Sequence, residues 1–204
     1  SQNKKKMPLA AELKADFEWA KSIAVGPGLS MNVAAAEITR CVLETDDKVR
    51  ILDADALNII AGEHIDYKGS REGQIIITPH IMEMSRLTGK TVADIKEHMI
   101  ESAKEYAIQH SCICILKDAR TVVTDGQKVY INCTGNDGMS TGGCGDVLTG
   151  LIAGMTAMGL DAFEAACLSV YVHGKAGDYA ASGKGRAGMT AADVSEAIAY
   201  VLKR

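Results

Sequence analysis

Short apolar runs alternate along the chain with longer amphipathic stretches, which is the pattern of strands and helices in an α/β protein. Apolar runs at 23–25, 49–52, 75–77 and 112–116 predict buried strands. Between the strands, residues 31–44 and 91–109 repeat their apolar positions with helical spacing. Because long helical stretches connect these strands, we expect a mostly parallel sheet flanked by helices.

The pattern changes in the second half of the chain. Residues 121–124 and 128–131 flank Asp125-Gly126, a pair typical of tight turns, and predict an antiparallel β-hairpin. The last third predicts helices over 146–158, 161–181 and 191–202, the last behind an N-cap at Thr190. Thr91 with Asp94 predicts a capping box at the start of one long helix that reaches residue 109.

Composition and charge exclude several classes of protein. The 204 residues carry a net charge of −4 and are 47% hydrophobic, which suits one globular domain over 1–204 and gives no field for nucleic acid. No apolar run approaches the ~20 residues that cross a bilayer, so we expect no membrane partner, and Lys4 to Lys6 suit a solvated terminus. The six cysteines lack zinc-ligand spacing and disulfide density, which indicates reduced thiols in a cytoplasmic protein.

A glycine-rich loop between the predicted hairpin and an apolar helix is the most informative stretch. Residues 132–146 hold five glycines and end in Asp146. Glycines let backbone N–H groups turn towards a ligand, and a helix start adds unpaired N–H groups and partial positive charge. The sequence therefore predicts an anion site, most simply for phosphate, with Asp146 as a candidate base. The spacing is that of neither a Walker A loop nor a dinucleotide fingerprint.

The residues at the end of this loop carry a resemblance to a known superfamily. Gly143-Cys144-Gly145-Asp146 resembles the Gly-x-Gly-Asp signature of ribokinase-like small-molecule kinases, in which glycine amides form an anion hole and the aspartate is the catalytic base. More specifically, the chain is similar to the ADP/ATP-dependent NAD(P)H-hydrate dehydratases of that superfamily. The matching segments occur in the family's order, at 25–29, 52–58, 78–84, 116–121, 134–150 and 173–178.

This resemblance implies a ribokinase-like fold and a metabolite-repair lyase. The substrate would be NADH or NADPH whose nicotinamide ring has taken up water. ADP or ATP would phosphorylate the added hydroxyl, and loss of phosphate would restore the ring. Mg²⁺ would accompany the nucleotide. The resemblance also implies a homo-oligomer, with a tetramer favoured, and an NAD(P)H-hydrate epimerase domain or protein as a partner.

The resemblance also assigns roles to individual residues. Asp146 is expected to orient and deprotonate the hydroxyl, and Gly28 and His80 to contact the hydrated cofactor. Glu83 is expected to help order magnesium through water. Residues expected to bind the nucleotide are Lys117, Asp118, Ala119, Arg120, Thr121, Asn136, Gly143, Cys144 and Gly145.

Three positions depart from the family's pattern. Ile81 and Met82 stand where the family has Pro-Gly, which would shift Glu83 or remake the helix start. Asp118 replaces a glycine and would place a carboxylate near the nucleotide phosphates. Cys144 lies at a helix N-terminus, where we expect a lowered thiol pKa and inhibition of the enzyme by alkylation.

Two other interpretations stay open. The chain could be a ribokinase-like kinase of a small hydroxylated vitamin precursor, or a nucleotide-binding domain without turnover. The family has a strand and a Gly-rich turn before the segments visible here. We therefore expect that this domain lacks its N-terminal portion and one or more strands.

Overall fold

The computed structural model describes residues 9–69 and 74–203, so the predicted solvated lysines at 4–6 lie outside the described residues. The described strands form a six-stranded sheet whose order follows the chain. The first four strands are parallel and the last two antiparallel, so the predicted mostly parallel α/β sheet with a late hairpin is confirmed. The strands are β1 (Ser22–Val25), β2 (Val49–Leu52), β3 (Ile75–Ile77), β4 (Ile113–Leu116), β5 (Val122–Thr124) and β6 (Val129–Ile131).

Helices connect and cover the strands. They are α1 (Leu9–Trp19), α2 (Val33–Glu44), α3 (Ala54–Gly62), α4 (Ile81–Thr88), α5 (Val92–Glu97), α6 (Met99–His110), α7 (Cys144–Ala157), α8 (Ala162–Lys184) and α9 (Ala191–Val201). Among the helices of residues 9–69 and 74–203, none combines the length and the apolar character of a membrane-spanning segment.

Side chains of the central strands alternate between two cores, one on each face of the sheet. On one face, Leu52 and Ile77 pack in a cluster with residues of α2 to α6, among them Met84 and Ala103. On the other face, Ile51, Ile76 and Ile113 pack with residues of α7 and α8. The continuous apolar strands are therefore buried on both sides, as a parallel sheet requires.

Two of the predicted element boundaries are wrong. The helix predicted over 91–109 is broken at His98, whose backbone leaves helical geometry at φ −125° and ψ 49°. Ile95 before the break and Met99 and Ile100 after it belong to or pack against the same core cluster. The helix predicted from residue 146 begins at Cys144 instead, which places Asp146 inside its first turn.

The hairpin turn also differs from a two-residue Asp-Gly turn. Its loop spans 125–128, and the Asp125 carboxylate accepts hydrogen bonds from the N–H groups of Gln127 and Lys128 at 2.8 and 2.7 Å. Gly126 has a positive φ of 94°. The Thr124 hydroxyl accepts from the N–H of Gly126 at 3.0 Å and donates to the carbonyl of Lys128 at 2.7 Å, so the side chains of Thr124 and Asp125 together bond the turn.

Gly26 lets the turn after β1 pack directly on the backbone that follows β2. Its φ is +125°, and a Cβ at this position would lie 1.7 Å from the carbonyl oxygen of Asp53. In the same contact, the N–H of Asp53 donates to the carbonyl of Val25 at 3.1 Å. No residue with a side chain fits here without moving the backbone of residue 53.

We expect Gly26→Ala to lower the free energy of unfolding by about 3 kcal/mol or more, because it combines backbone strain with a clash against backbone. Gly62→Ala is the matched control, since Gly62 lies in α3 with nothing within 4 Å of an added Cβ. The control should leave stability unchanged or raise it by about 0.5–1 kcal/mol. Urea denaturation measures both values, and equal stabilities of the two variants would contradict the prediction.

Candidate active site

The carboxyl ends of the four parallel strands gather the predicted site residues at one edge of the sheet. Gly28 follows β1, His80 follows β3, and Lys117 follows β4. The N–H of Lys117 donates to the carbonyl of Pro79 at 2.8 Å, which extends the pairing of β3 and β4 to this edge. Gly28 adopts a φ of +63° in an exposed turn, with nothing within 4 Å of an added Cβ.

The first turn of α7 lies over the same edge. A Cβ at Gly145 would stand 3.6 Å from the Lys117 ammonium nitrogen and 3.9 Å from Oδ2 of Asp53. The N-terminal amides of a helix have no partners within the helix and carry partial positive charge. The Gly145 backbone at the start of α7 therefore lies close to the Lys117 ammonium at this edge of the sheet.

Lys117 is held by a buried carboxylate that our sequence analysis gave no role. Its ammonium donates to Oδ1 of Asp53 at 2.9 Å, and the Thr149 hydroxyl donates to Oδ2 at 2.7 Å. Asp53 is 1% exposed, whereas the Lys117 side chain is 21% exposed. Burial opposes ionisation of Asp53, but the Lys117 charge and the hydrogen bonds from Lys117 and Thr149 hold its pKa below its ordinary value. The cation is thus fixed in place at the site's edge.

His80 and Glu83 form a capping box at the start of α4. Glu83 Oε2 accepts from the N–H of His80 at 2.8 Å, and His80 Nδ1 accepts from the N–H groups of Met82 and Glu83 at 3.1 and 3.2 Å. Glu83 is buried while the His80 side chain is half exposed. The helix start is thus intact with Ile81 and Met82 in the place of the family's Pro-Gly.

The segment that leaves β4 lies at the rim beyond Lys117. Asp118, Ala119 and Arg120 are exposed and Thr121 is half-buried. The Asp118 side chain is therefore open to solvent, unlike the carboxylate that neutralises Lys117. Asn136, by contrast, has both polar side-chain atoms engaged within the protein, since Nδ2 donates to Asp178 at 3.1 Å and Oδ1 accepts from the N–H of Gly138 at 3.1 Å.

Asp146 and Cys144 occupy the same turn of α7 in different environments. Asp146 is exposed at the helix start, where its carboxylate is open to a ligand. Cys144 is 4% exposed and packs with Ala176, Met189 and Val194. Burial raises the pKa of the Cys144 thiol, and its hydrogen bond with Thr141 opposes this only in part. The expected lowering of the Cys144 pKa is wrong, because desolvation of a thiolate outweighs the helix terminus.

Sequence reasoning missed Asp53 and Thr149 as members of this site. Asp53 carried a signal, since a polar residue directly after a buried strand lies at the carboxyl edge of the sheet. Thr149 carried none, because it lies on an apolar helix 96 positions from its partner.

Comparison with known proteins shows which family this sequence matches. The family model described as NAD(P)H-hydrate dehydratase matches residues 3–200. A bifunctional NAD(P)H-hydrate repair enzyme, Nnr, from Moorella thermoacetica is 45% identical over 183 residues, which covers 89% of this chain and 34% of that protein. The chain thus spans about a third of the length of this relative.

Solved structures share the fold. The ADP/ATP-dependent NAD(P)H-hydrate dehydratase from Bacillus subtilis, co-crystallised with ATP/Mg²⁺ and soaked with CoA, is 33% identical with a TM-score of 0.80, and the match covers 89% of this chain and 65% of that one. A ribokinase-like superfamily protein from Enterococcus faecalis is 27% identical with a TM-score of 0.83, covering 94% and 66%. Hydroxyethylthiazole kinase from Pyrococcus horikoshii, at 14% identity and a TM-score of 0.72, shares the fold alone.

We expect Asp53→Asn to destabilise the protein by roughly 3 kcal/mol at pH 7, because it leaves the Lys117 charge without its buried partner. The pKa of Asp53 is lower in the folded chain than its ordinary 3.8, so its contribution is complete above about pH 3.8 and is lost as the pH falls through the folded value. The stability difference from wild type should therefore shrink only in strong acid. Denaturant titrations at several pH values measure this, with the exposed Asp118→Asn as the control. A difference that already vanishes at pH 5 would contradict the assignment.

Alkylation should also distinguish two cysteines. In native protein at neutral pH, iodoacetamide should modify the exposed Cys133 and spare the buried Cys144, whose thiol pKa is raised by burial. Peptide mass spectrometry before and after denaturation gives the extent at each site. Rapid native modification of Cys144 would contradict the burial seen here.

Proposed function

Because the chain belongs to the NAD(P)H-hydrate dehydratase family, we propose that its single ribokinase-like domain dehydrates hydrated NADH or NADPH at the expense of ADP or ATP. The observation that carries this proposal is the first turn of α7, where Gly145 lies close to the Lys117–Asp53 pair and Asp146 is exposed. The reaction transfers a phosphoryl group to the added ring hydroxyl. The phosphoryl group comes from the nucleotide by cleavage of the P–O bond to its terminal phosphate. Breaking the ring carbon–oxygen bond then releases phosphate, and loss of a proton from the neighbouring ring carbon to solvent forms the double bond that restores the ring.

The phosphoryl group is stabilised by positive groups already in place before the nucleotide binds. The amides of Gly143, Cys144 and Gly145 face developing charge on its oxygens, and the Lys117 ammonium, whose charge Asp53 partly offsets, adds a charge-assisted donor. Phosphoryl transfer through a loose transition state depends mainly on such positioning and charge. Rigid donors therefore matter more here than a strong nucleophile.

Asp146 acts as the base for the hydroxyl. Its exposed carboxylate on the first turn of α7 accepts the proton as the oxygen–phosphorus bond forms. Gly28 and His80, at the ends of β1 and β3, bind the hydrated cofactor on the same edge of the sheet. The exposed His80 ring is oriented by its hydrogen bonds to the start of α4.

The nucleotide binds between α7 and the segment that leaves β4. Lys117 contacts a phosphate, and Asp118 to Thr121 lie along the rim. Asn136 shapes the loop before α7. Bifunctional relatives support an epimerase domain or protein as a partner, and we propose a cytoplasmic homo-oligomer.

Magnesium fits this site only as an ion held largely by nucleotide phosphates and water. Within residues 9–69 and 74–203, no cluster of three or more His, Cys, Asp or Glu side chains could hold a metal ion. Glu83 is buried and both its oxygens face His80, with Oε2 accepting from the N–H of His80 and Oε1 3.4 Å from Nε2. A role in ordering magnesium-bound water would therefore require Oε1 to leave the His80 ring. When bound, the ion would neutralise charge on the phosphates.

The alternative function as a vitamin-precursor kinase has weaker support. The hydroxyethylthiazole kinase neighbour shares the fold at 14% identity, and such a likeness does not extend to the substrate. The dehydratase proposal rests instead on a family match over nearly the whole chain.

We expect Asp146→Asn to reduce dehydratase turnover by about 10²–10⁴-fold, because it removes the base while leaving the amides and Lys117 in place. The assay follows recovery of reduced-nicotinamide absorbance from hydrated NADH with Mg²⁺ and either ADP or ATP. Affinity for ADP should stay within a few fold of wild type. Glu164→Gln is the control, since Glu164 is an exposed carboxylate in the first turn of α8.

Other outcomes identify other functions. Nucleotide binding by wild type without recovery of absorbance would favour a binding domain. Phosphorylation of a hydroxyethyl heterocycle without recovery would favour the vitamin kinase. Full activity of Asp146→Asn would remove Asp146 from catalysis.

A further inference from the structure

One face of α8 receives the glycine-rich loop before α7. A Cβ at Gly174 would lie 2.1 Å from the Thr134 hydroxyl oxygen, and 2.7 and 2.8 Å from that residue's carbonyl carbon and oxygen. A Cβ at Gly177 would lie 2.2 Å from the sulfur of Met139. Both ends of the loop segment 134–139 therefore pack directly on the helix backbone.

Asp178 lies one residue beyond this contact and joins the loop by both carboxylate oxygens. Oδ2 accepts from the N–H of Gly135 at 3.1 Å, and Oδ1 accepts from Nδ2 of Asn136 at 3.1 Å. Asn136 Oδ1 in turn accepts from the N–H of Gly138. Two hydrogen bonds to this carboxylate and a third within the loop thus join residues 135–138 to α8.

The same helix also supports the first turn of α7. Ala176 and Ala180 pack in one cluster with Cys144. His173 lies against the backbone of Cys144. Burial, together with the Lys117 charge, lowers the pKa of its imidazole to about 4, and the hydrogen bond with the Cys144 backbone opposes this shift. Residues 173–180 therefore contact the glycine-rich loop near its start, at Thr134, and near its end, at Cys144.

We propose that Asp178 is a positioning residue of the nucleotide site, which acts through Asn136 and Gly135 to hold the amides before α7 in their phosphate-binding geometry. This inference rests on the proposed function only in taking a nucleotide as the ligand. It gives a role to the segment His173 to Asp178, which the proposed chemistry does not use. It also makes Asn136 a link in the loop, since both of its polar atoms are occupied.

The direction in which Asp178→Asn changes nucleotide affinity distinguishes a positioning role of Asp178 from a purely electrostatic one. Asp178→Asn removes a negative charge near bound phosphates, and charge alone would then strengthen nucleotide binding. The variant is nearly isosteric, but its NH₂ group must face one of two donors, the N–H of Gly135 or the NH₂ of Asn136. Loss of that bond loosens the loop, so positioning predicts weaker binding.

The test measures ADP binding by isothermal titration calorimetry and amide exchange by mass spectrometry. We expect Asp178→Asn to raise the Kd for ADP about tenfold, the size of effect expected when a charge-assisted hydrogen bond is lost. Exchange should accelerate in residues 132–143 and stay unchanged in β2 to β4. In turnover assays, the KM for ADP should rise while the KM for hydrated NADH stays constant.

Gly174→Ala tests the same contact by displacing the loop, with Gly183→Ala as its control on the same helix. Nothing lies within 4 Å of a Cβ at Gly183, so that variant should bind ADP as wild type does. Gly174→Ala should weaken ADP binding as Asp178→Asn does. Unchanged ADP affinity in both site variants would overturn the inference, as would faster exchange throughout the sheet.

Failure of the proposed function gives a different result. ADP binding requires no turnover, so a wild-type chain that binds ADP without dehydrating its substrate contradicts the dehydratase proposal and still tests Asp178 through the Kd values. A wild-type chain that binds neither ADP nor ATP overturns both.

Discussion

The ion pair between Lys117 and Asp53 joins elements that are far apart in the chain. Asp53 ends β2, Lys117 ends β4, and Thr149 of α7 donates to the same carboxylate. A buried carboxylate is stable only when charge and hydrogen bonds replace its lost water, so both partners must be in place. The Asp53 carboxylate therefore holds the edge of the sheet and α7 together and also holds the Lys117 ammonium in place.

The position of α7 depends in turn on close backbone packing. Gly26 allows the turn after β1 to meet the backbone of Asp53, and Gly174 allows the loop before α7 to meet α8. Larger residues at either place would separate these elements. The glycines thus set how closely the turn after β1 approaches residue 53, and how closely the glycine-rich loop approaches α8.

The strands and the site edge could be predicted because their signals are local. Ile75–Ile77 is apolar throughout, and the residues that follow each parallel strand meet at one edge by geometry. The break at His98 and the burial of Cys144 could not be predicted, since both depend on packing against distant residues. Cys144 is shielded by residues of α8 and α9, and that contact decides its pKa. The hydrogen bond from Thr149 to Asp53 could not be predicted for the same reason.

The balance of charge at this edge explains how the site suits a nucleotide with its cation. Asp53 already offsets Lys117, while Glu83 and Asp146 add carboxylates on the starts of α4 and α7. The side chains of these four residues therefore carry net negative charge, so an attraction for phosphate would come from the amides at the start of α7 and from the Lys117 ammonium. Nucleotide phosphates add further negative charge, which a divalent cation bound to them offsets. Under the proposed function, the cation would reduce repulsion between the nucleotide phosphates and Asp146, so the metal–nucleotide complex would bind better than the free anion.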